Sequence, residues 1–168
     1  NPLHDKAPYM EATELKRWYD EGKEFILLDT RNDYEIKVGT FKDAMDLNIK
    51  TFRAFPKAVK EQLSQYKDMP IVTVCTGGVR CEKAAPFLLK EGFKDVYQLQ
   101  GGFLKYFETC GGAYYNGDCF VFDKRVALNP ALQESPIEQC FRCRNPLTEE
   151  ELHSADYTIN ESCPYCIT

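Results

Sequence analysis

One junction constrains this chain more than any other. The apolar run Pro70-Ile71-Val72-Thr73-Val74 leads into Cys75-Thr76-Gly77-Gly78-Val79-Arg80-Cys81, and the helix-forming Glu82-Lys83-Ala84-Ala85 follows directly. A strand, a glycine-bearing turn and a helix start, in that order, leave the backbone N–H groups of Thr76, Gly77, Gly78 and Val79 and of the first helical turn facing inward without helical partners. Such a cup binds anions. A cysteine at its rim shares that field, because helix N-termini and neighbouring guanidinium groups stabilise thiolate over thiol. Arg80 closes the cup with a charge that persists near neutral pH. Cys75 has a plainer reading as a small apolar residue buried at a strand end. Two glycines and an arginine within five residues, with a helix immediately after, favour the nucleophile.

The flanking chain alternates between the two kinds of element. Leu15, Trp18 and Tyr19 fall at helical spacing, predicting a helix from Glu11 to about Asp20, ended by Gly22. Phe25-Ile26-Leu27-Leu28 reads as a buried strand delivering Asp29-Thr30-Arg31 at its carboxyl end. After Pro56, the residues Ala58, Val59, Leu63 and Tyr66 form an apolar helical stripe, while Lys50, Arg53, Lys57 and Lys60 read first as a solvated basic face and second as phosphate contacts. A helix from Arg80 to Lys90 is expected to kink at Pro86. Asp95-Val96-Tyr97-Gln98-Leu99 is the next strand, and Gly101-Gly102 turns into a helix over Phe103 to Glu108. Strands alternating with helices predict an α/β fold with a parallel sheet covered by helices on both faces.

The spacing Cys75-x4-Arg80 resembles the active-site loop of the rhodanese superfamily, in which the cysteine carries a persulfide sulfur. Dual-specificity phosphatases have one more residue in the loop, so the shorter loop disfavours phosphate esters. Asp29-Thr30-Arg31 resembles the Asp-x-Arg that braces the rhodanese active site, a structural rather than catalytic role, and Gln100-Gly101-Gly102 matches as well. Where rhodaneses commonly carry Gly-His-Ile, this chain has Gly39-Thr40-Phe41. Together with Arg31-Asn32-Asp33-Tyr34-Glu35, Cys75 to Lys83 and Gly117 to Val126, these residues resemble one branch, the rhodanese-domain tRNA uridine hydroxylases of bacteria. That resemblance implies a tRNA substrate, dioxygen as co-substrate and 5-hydroxylation of the wobble uridine. It also implies that Cys75 is essential, with Arg80 and the Thr76 to Val79 amides forming its pocket. Members usually carry an additional N-terminal domain, and a first residue Asn1 rather than Met points to a piece whose upstream domain is missing.

Beyond residue 110 the rhodanese pattern stops, dividing the chain into a rhodanese-like domain, 1–110, and a C-terminal extension, 111–168. There Asn116-Gly117-Asp118 signals a turn, and Cys119 to Val126 reads as a strand. Cys140-x2-Cys143 and Cys163-x2-Cys166 have the spacing of a four-thiolate structural zinc site, the alternatives being two disulfides or free thiols. Pro146 to Leu152 looks like a turn into a short capped helix, and His153 is expected at the surface. Cys81, six positions after Cys75, is either a small donor at the helix start or a thiol that resolves an oxidised Cys75.

The net charge of −5 gives no general field for nucleic acid or anionic membranes. Apolar runs too short to cross a bilayer, no secretory signal and cysteines paired as knuckles predict a soluble, cytoplasmic protein in a reducing compartment, with no membrane partner. The two histidines, His4 and His153, form no facial triad and supply no base for a Cys–His protease, and no organic cofactor motif is evident. Two other functions stand beside hydroxylation: a sulfurtransferase working through a Cys75 persulfide, and a non-catalytic binding module.

Overall fold

The computed structural model describes residues 7–121, 126–134, 137–139, 145–147, 149–155 and 164–165. In chain order they form β1 (Tyr9–Met10), α1 (Ala12–Asp20), β2 (Ile26–Asp29), α2 (Asp33–Ile36), β3 (Gly39–Phe41), β4 (Met45–Asp46), α3 (Phe55–Gln62), β5 (Ile71–Val74), α4 (Cys81–Lys90), β6 (Val96–Leu99) and α5 (Gly102–Cys110). The short elements β7 (Tyr115–Gly117), β8 (Cys119–Phe120), β9 (Ala127–Leu128), β10 (Glu138–Gln139), β11 (Pro146–Leu147) and α6 (Glu149–Leu152) follow.

The sheet runs β1-β6-β5-β2-β4, and every pairing in it is parallel. All four residues of β2 and all four of β5 are buried, as strands covered on both faces must be. Side-chain alternation splits the core. Ile26, Leu28 and Ile71 pack under α3 and α4 with Ala58, Val59, Ala84, Ala85 and Leu88. Leu27, Val72 and Val74 pack on the other face with Leu15 and Trp18 of α1 and Phe103, Tyr106 and Phe107 of α5. The register pairs Asp29 with Val74, so Thr30-Arg31 and Cys75 leave the sheet side by side at its carboxyl edge.

The predicted helices and sheet strands are present, and α4 continues through Pro86 to Lys90. Lys50, Arg53, Lys57 and Lys60 are all exposed, and Lys50, Lys57 and Lys60 are ion-paired with Asp33, Glu61 and Glu91. His153 is exposed. Pro146 and Leu147, expected in a turn, pair as a strand with β10 before α6.

The segment after α5 differs from expectation in two places. Asn116-Gly117, expected in a turn, belongs to β7, which pairs antiparallel with β3, Gly39 opposite Gly117 and Phe41 opposite Tyr115. Gly117 takes φ +89 because the strands approach so closely that a Cβ on it would lie 2.5 Å from the Val38 carbonyl. Nor does one strand run from Cys119 to Val126. Cys119 and Phe120 pair antiparallel with Leu128 and Ala127, and Val126, at φ +64, accepts the Val121 N–H on its carbonyl. A run of strand-forming residues states a backbone preference but not its length, and here the chain doubles back on itself. No helix among the described residues is long and apolar enough to cross a membrane.

Candidate active site

Cys75 is the first residue beyond β5 and is 1 % exposed. Its surroundings are not simply hydrocarbon. The Gly78 N–H donates to Sγ at 3.1 Å, and Cys81 Sγ, at the first position of α4, donates from 3.6 Å. The thiol is pulled down to about 6, foremost by the Cys81 hydrogen bond. Burial works against this, and the Cys81 N–H, the Arg80 charge and the Arg80 N–H add to it. Burial beside that anion drives Cys81 the other way, well above the ordinary thiol range. Cys81 is fully buried and also lies 3.9 Å from Thr30 Oγ1. The surroundings thus favour the anion on Cys75 and the proton on Cys81.

Arg80 anchors its guanidinium on a carboxylate while its charge acts on the sulfur. Its two terminal nitrogens clasp the fully buried Glu35 at 2.5 and 2.8 Å. Glu35 also accepts the Asn32 N–H at 2.9 Å, which ties the start of α2 to the same carboxylate. The fork geometry of a carboxylate–guanidinium pair fixes the loop's exit across the sheet edge. Sequence reasoning passed over Glu35 as a functional residue, although its place three residues after Asn32 was a signal of a helix start.

Asp29 and Arg31 form an ion pair with each other, and both are fully buried. Arg31 Nε and Nη2 donate to Asp29 at 2.9 and 2.8 Å, and Nη2 also donates to the Gly39 carbonyl at 2.6 Å. Burial opposes the Arg31 charge, yet Asp29 raises its pKa above the ordinary guanidinium value. Thr40, where rhodaneses commonly have histidine, donates its hydroxyl to Asp29 Oδ2 at 2.6 Å. Arg31 Cζ lies 4.4 Å from the centre of the Phe103 ring, and Nη1 has no hydrogen-bond partner among the described residues. Cation–ring attraction covers that side of the guanidinium.

The loop is held from above by α5. Phe103 N–H donates to the Cys75 carbonyl at 2.9 Å and Leu104 N–H to the Thr76 carbonyl at 3.2 Å. Gly102, at φ +64, makes this approach: a Cβ there would lie 2.5 Å from both carbonyl oxygens. Thr76 Oγ1 lies 3.5 Å from the Phe120 carbonyl, Gly77 is exposed, and Val79 stands 75 % exposed at the rim. Cys119 is fully buried, and burial pushes it up to about 11, which favours its thiol form. Cys140, Cys143, Cys163 and Cys166 lie outside the described residues. Among the described residues no cluster of His, Cys, Asp or Glu has the makings of a metal site.

A strand end, an amide-lined sulfur and a following helix are now placed, and the family described as "Rhodanese-like domain" matches residues 11–109. The chain belongs to the rhodanese-like domain family. Its fold is shared with the rhodanese-like domain of an Anabaena protein, solved in solution, at TM-score 0.56 and 23 % identity over 66 % of this chain and 79 % of that one. A rhodanese-like domain protein from Staphylococcus aureus gives TM-score 0.50 at 25 % identity, over 59 % of this chain and 90 % of that one. Sequence similarity reaches further than the rhodanese-like domain. A protein of Cupriavidus necator named tRNA uridine(34) hydroxylase is 48 % identical over 99 % of this chain and 61 % of its own length. Another of that name from Paraburkholderia xenovorans is 48 % identical over 98 % of this chain and 59 % of its own. The chain thus spans about three-fifths of the length of these relatives.

Proposed function

We propose that this chain is the rhodanese-like part of a tRNA uridine hydroxylase, carrying out oxygen-dependent 5-hydroxylation of the wobble uridine through the Cys75 thiolate. The observation that carries the reading is that similarity to proteins of that name extends over 99 % of the chain, well past residue 109 where the rhodanese-like match ends. The site supports it with a sulfur whose anion is favoured by the Cys81 thiol, by peptide N–H groups and by the charge of an arginine anchored on Glu35. Dioxygen would be the co-substrate and tRNA the partner, in the cytoplasm. A further domain upstream would account for the part of the relatives that this chain does not cover. Cys140, Cys143, Cys163 and Cys166 would hold a structural zinc by their spacing.

The decisive experiment is nucleoside mass spectrometry of tRNA from a strain lacking the gene, complemented with the full-length protein or with Cys75→Ser. Wild type is expected to restore 5-hydroxyuridine-derived nucleosides, and Cys75→Ser to leave them absent. A second reading has support in the same geometry, because N–H groups that stabilise a thiolate suit a persulfide equally well. A sulfurtransferase would form thiocyanate from thiosulfate and cyanide, and the deletion strain would show unchanged tRNA.

A further inference from the structure

The hydrogen bond between the two sulfurs that favours the Cys75 thiolate also places a second thiol beside it. Cys81 Sγ is 3.6 Å from Cys75 Sγ, both residues are buried, and both belong to the same strand–turn–helix. A disulfide needs its sulfurs about 2.0 Å apart, so the two sulfurs, already in contact, close one by a further approach. The turn between them contains Gly77 and Gly78, Gly78 already at φ +92, and Val79 at its tip is exposed, so the backbone there has room to follow.

We propose that Cys75 and Cys81 are a two-electron dithiol–disulfide couple that supplies the reducing equivalents for the hydroxylation, an inference that rests on the hydroxylase reading above. Insertion of one atom of dioxygen into the uridine C5–H bond sends the other atom to water, and that second atom needs two electrons and two protons. The pair provides both electrons. The O–O and C5–H bonds break; a C5–O bond, the O–H bonds and one Sγ–Sγ bond form. Cys81 gives up its proton, and the second proton comes from solvent because Cys75 starts as thiolate. Uridine, dioxygen, the thiolate, the thiol and one proton thus become 5-hydroxyuridine, water and the Cys75–Cys81 disulfide. An external dithiol then resets the couple by thiol–disulfide exchange. The asymmetry between the two sulfurs suits this role, since the anion is the reactive partner and the protonated thiol waits beside it.

The test is a single turnover. Full-length protein is reduced, freed of reductant without oxygen, and mixed with oxygenated buffer and unmodified tRNA transcript. 5-Hydroxyuridine is then counted by mass spectrometry and free thiols by differential alkylation. About one Cys75–Cys81 disulfide per hydroxylated uridine is expected, with the yield stopping near one per chain until dithiothreitol is added. Cys81→Ser retains a hydrogen-bond donor but cannot close the bond, and is expected to lower the reductant-free yield at least ~10-fold. Hydroxylated uridine accumulating while both thiols remain alkylatable overturns the couple. A parallel arm challenges the reduced protein with hydrogen peroxide in the absence of tRNA. Disulfide closure there, together with no hydroxylation by wild type under any reductant, confirms the couple and overturns the hydroxylase reading and the electrons' destination. Oxidation of Cys75 alone, trapped by dimedone with Cys81 intact, overturns the couple whatever the tRNA result.

Discussion

At the scale of single residues the site depends on three buried partnerships. The first is sulfur with sulfur. With Cys75 pulled down to about 6, ultraviolet thiolate absorbance is expected to titrate near that pH. Activity should fall about tenfold per unit on the acid side, where the anion is lost, and level off above. Because the Cys81 hydrogen bond is the leading cause, Cys81→Ala should move that midpoint upward, and Cys81→Ser should move it less. The second partnership, Arg80 with Glu35, has its carboxylate fully buried. Glu35→Gln is expected to cost about 2 kcal/mol in urea unfolding and to lower activity as the loop's exit loosens. The third is Asp29 with Arg31. Asp29→Asn leaves a buried guanidinium without its counter-charge, an expected cost of about 3–5 kcal/mol, whereas replacing both residues with apolar ones of similar volume should recover most of it. A brace behaves that way; a catalytic pair would lose activity in the stable double variant as well.

At the scale of elements, what matters is that β5, the loop, α4 and α5 are locked together by backbone contacts. Gly102 is the contact that admits no side chain. Gly102→Ala combines a positive φ with carbonyl oxygens 2.5 Å from the new Cβ, and is expected to destabilise by more than about 1 kcal/mol while raising the Cys75 midpoint. Gly77 in the same loop has nothing within 4 Å of a built Cβ, so Gly77→Ala should change stability by no more than about 0.5 kcal/mol. Paired urea titrations of the two variants check this. The strand, turn and helix order was legible in the sequence because each element is dictated by residues within a turn or two of one another. The role of Gly102 was less legible. Gln100-Gly101-Gly102 stood out as a turn, but the carbonyls it must admit belong to residues more than twenty-five positions earlier.

At the scale of the whole molecule, described residues just beyond α5 are part of the same packing. Tyr115 and Cys119 are buried in the core cluster of Phe41, Phe103 and Phe107, and the Tyr115 ring stands edge-on to Phe41 and Phe107 at 5.2 and 4.8 Å. A chain ending at residue 110 would expose that face and leave β3 without its partner. Its thermal midpoint is expected to fall by at least about 5 °C, read by circular dichroism. The layered α/β arrangement, the two faces of the sheet and the cup around Cys75 follow from the sequence, because alternation, helical spacing and turn chemistry act over a few neighbouring residues. The clasp of Arg80 by a glutamate 45 positions away does not, nor does the distance between the two sulfurs, nor the use of Asn116-Gly117 as a strand. Those depend on strand register, which sets Asp29 level with Val74 and brings distant segments to one edge of the sheet. Register is settled by burying both faces at once, and no stretch of sequence shorter than the domain contains that information.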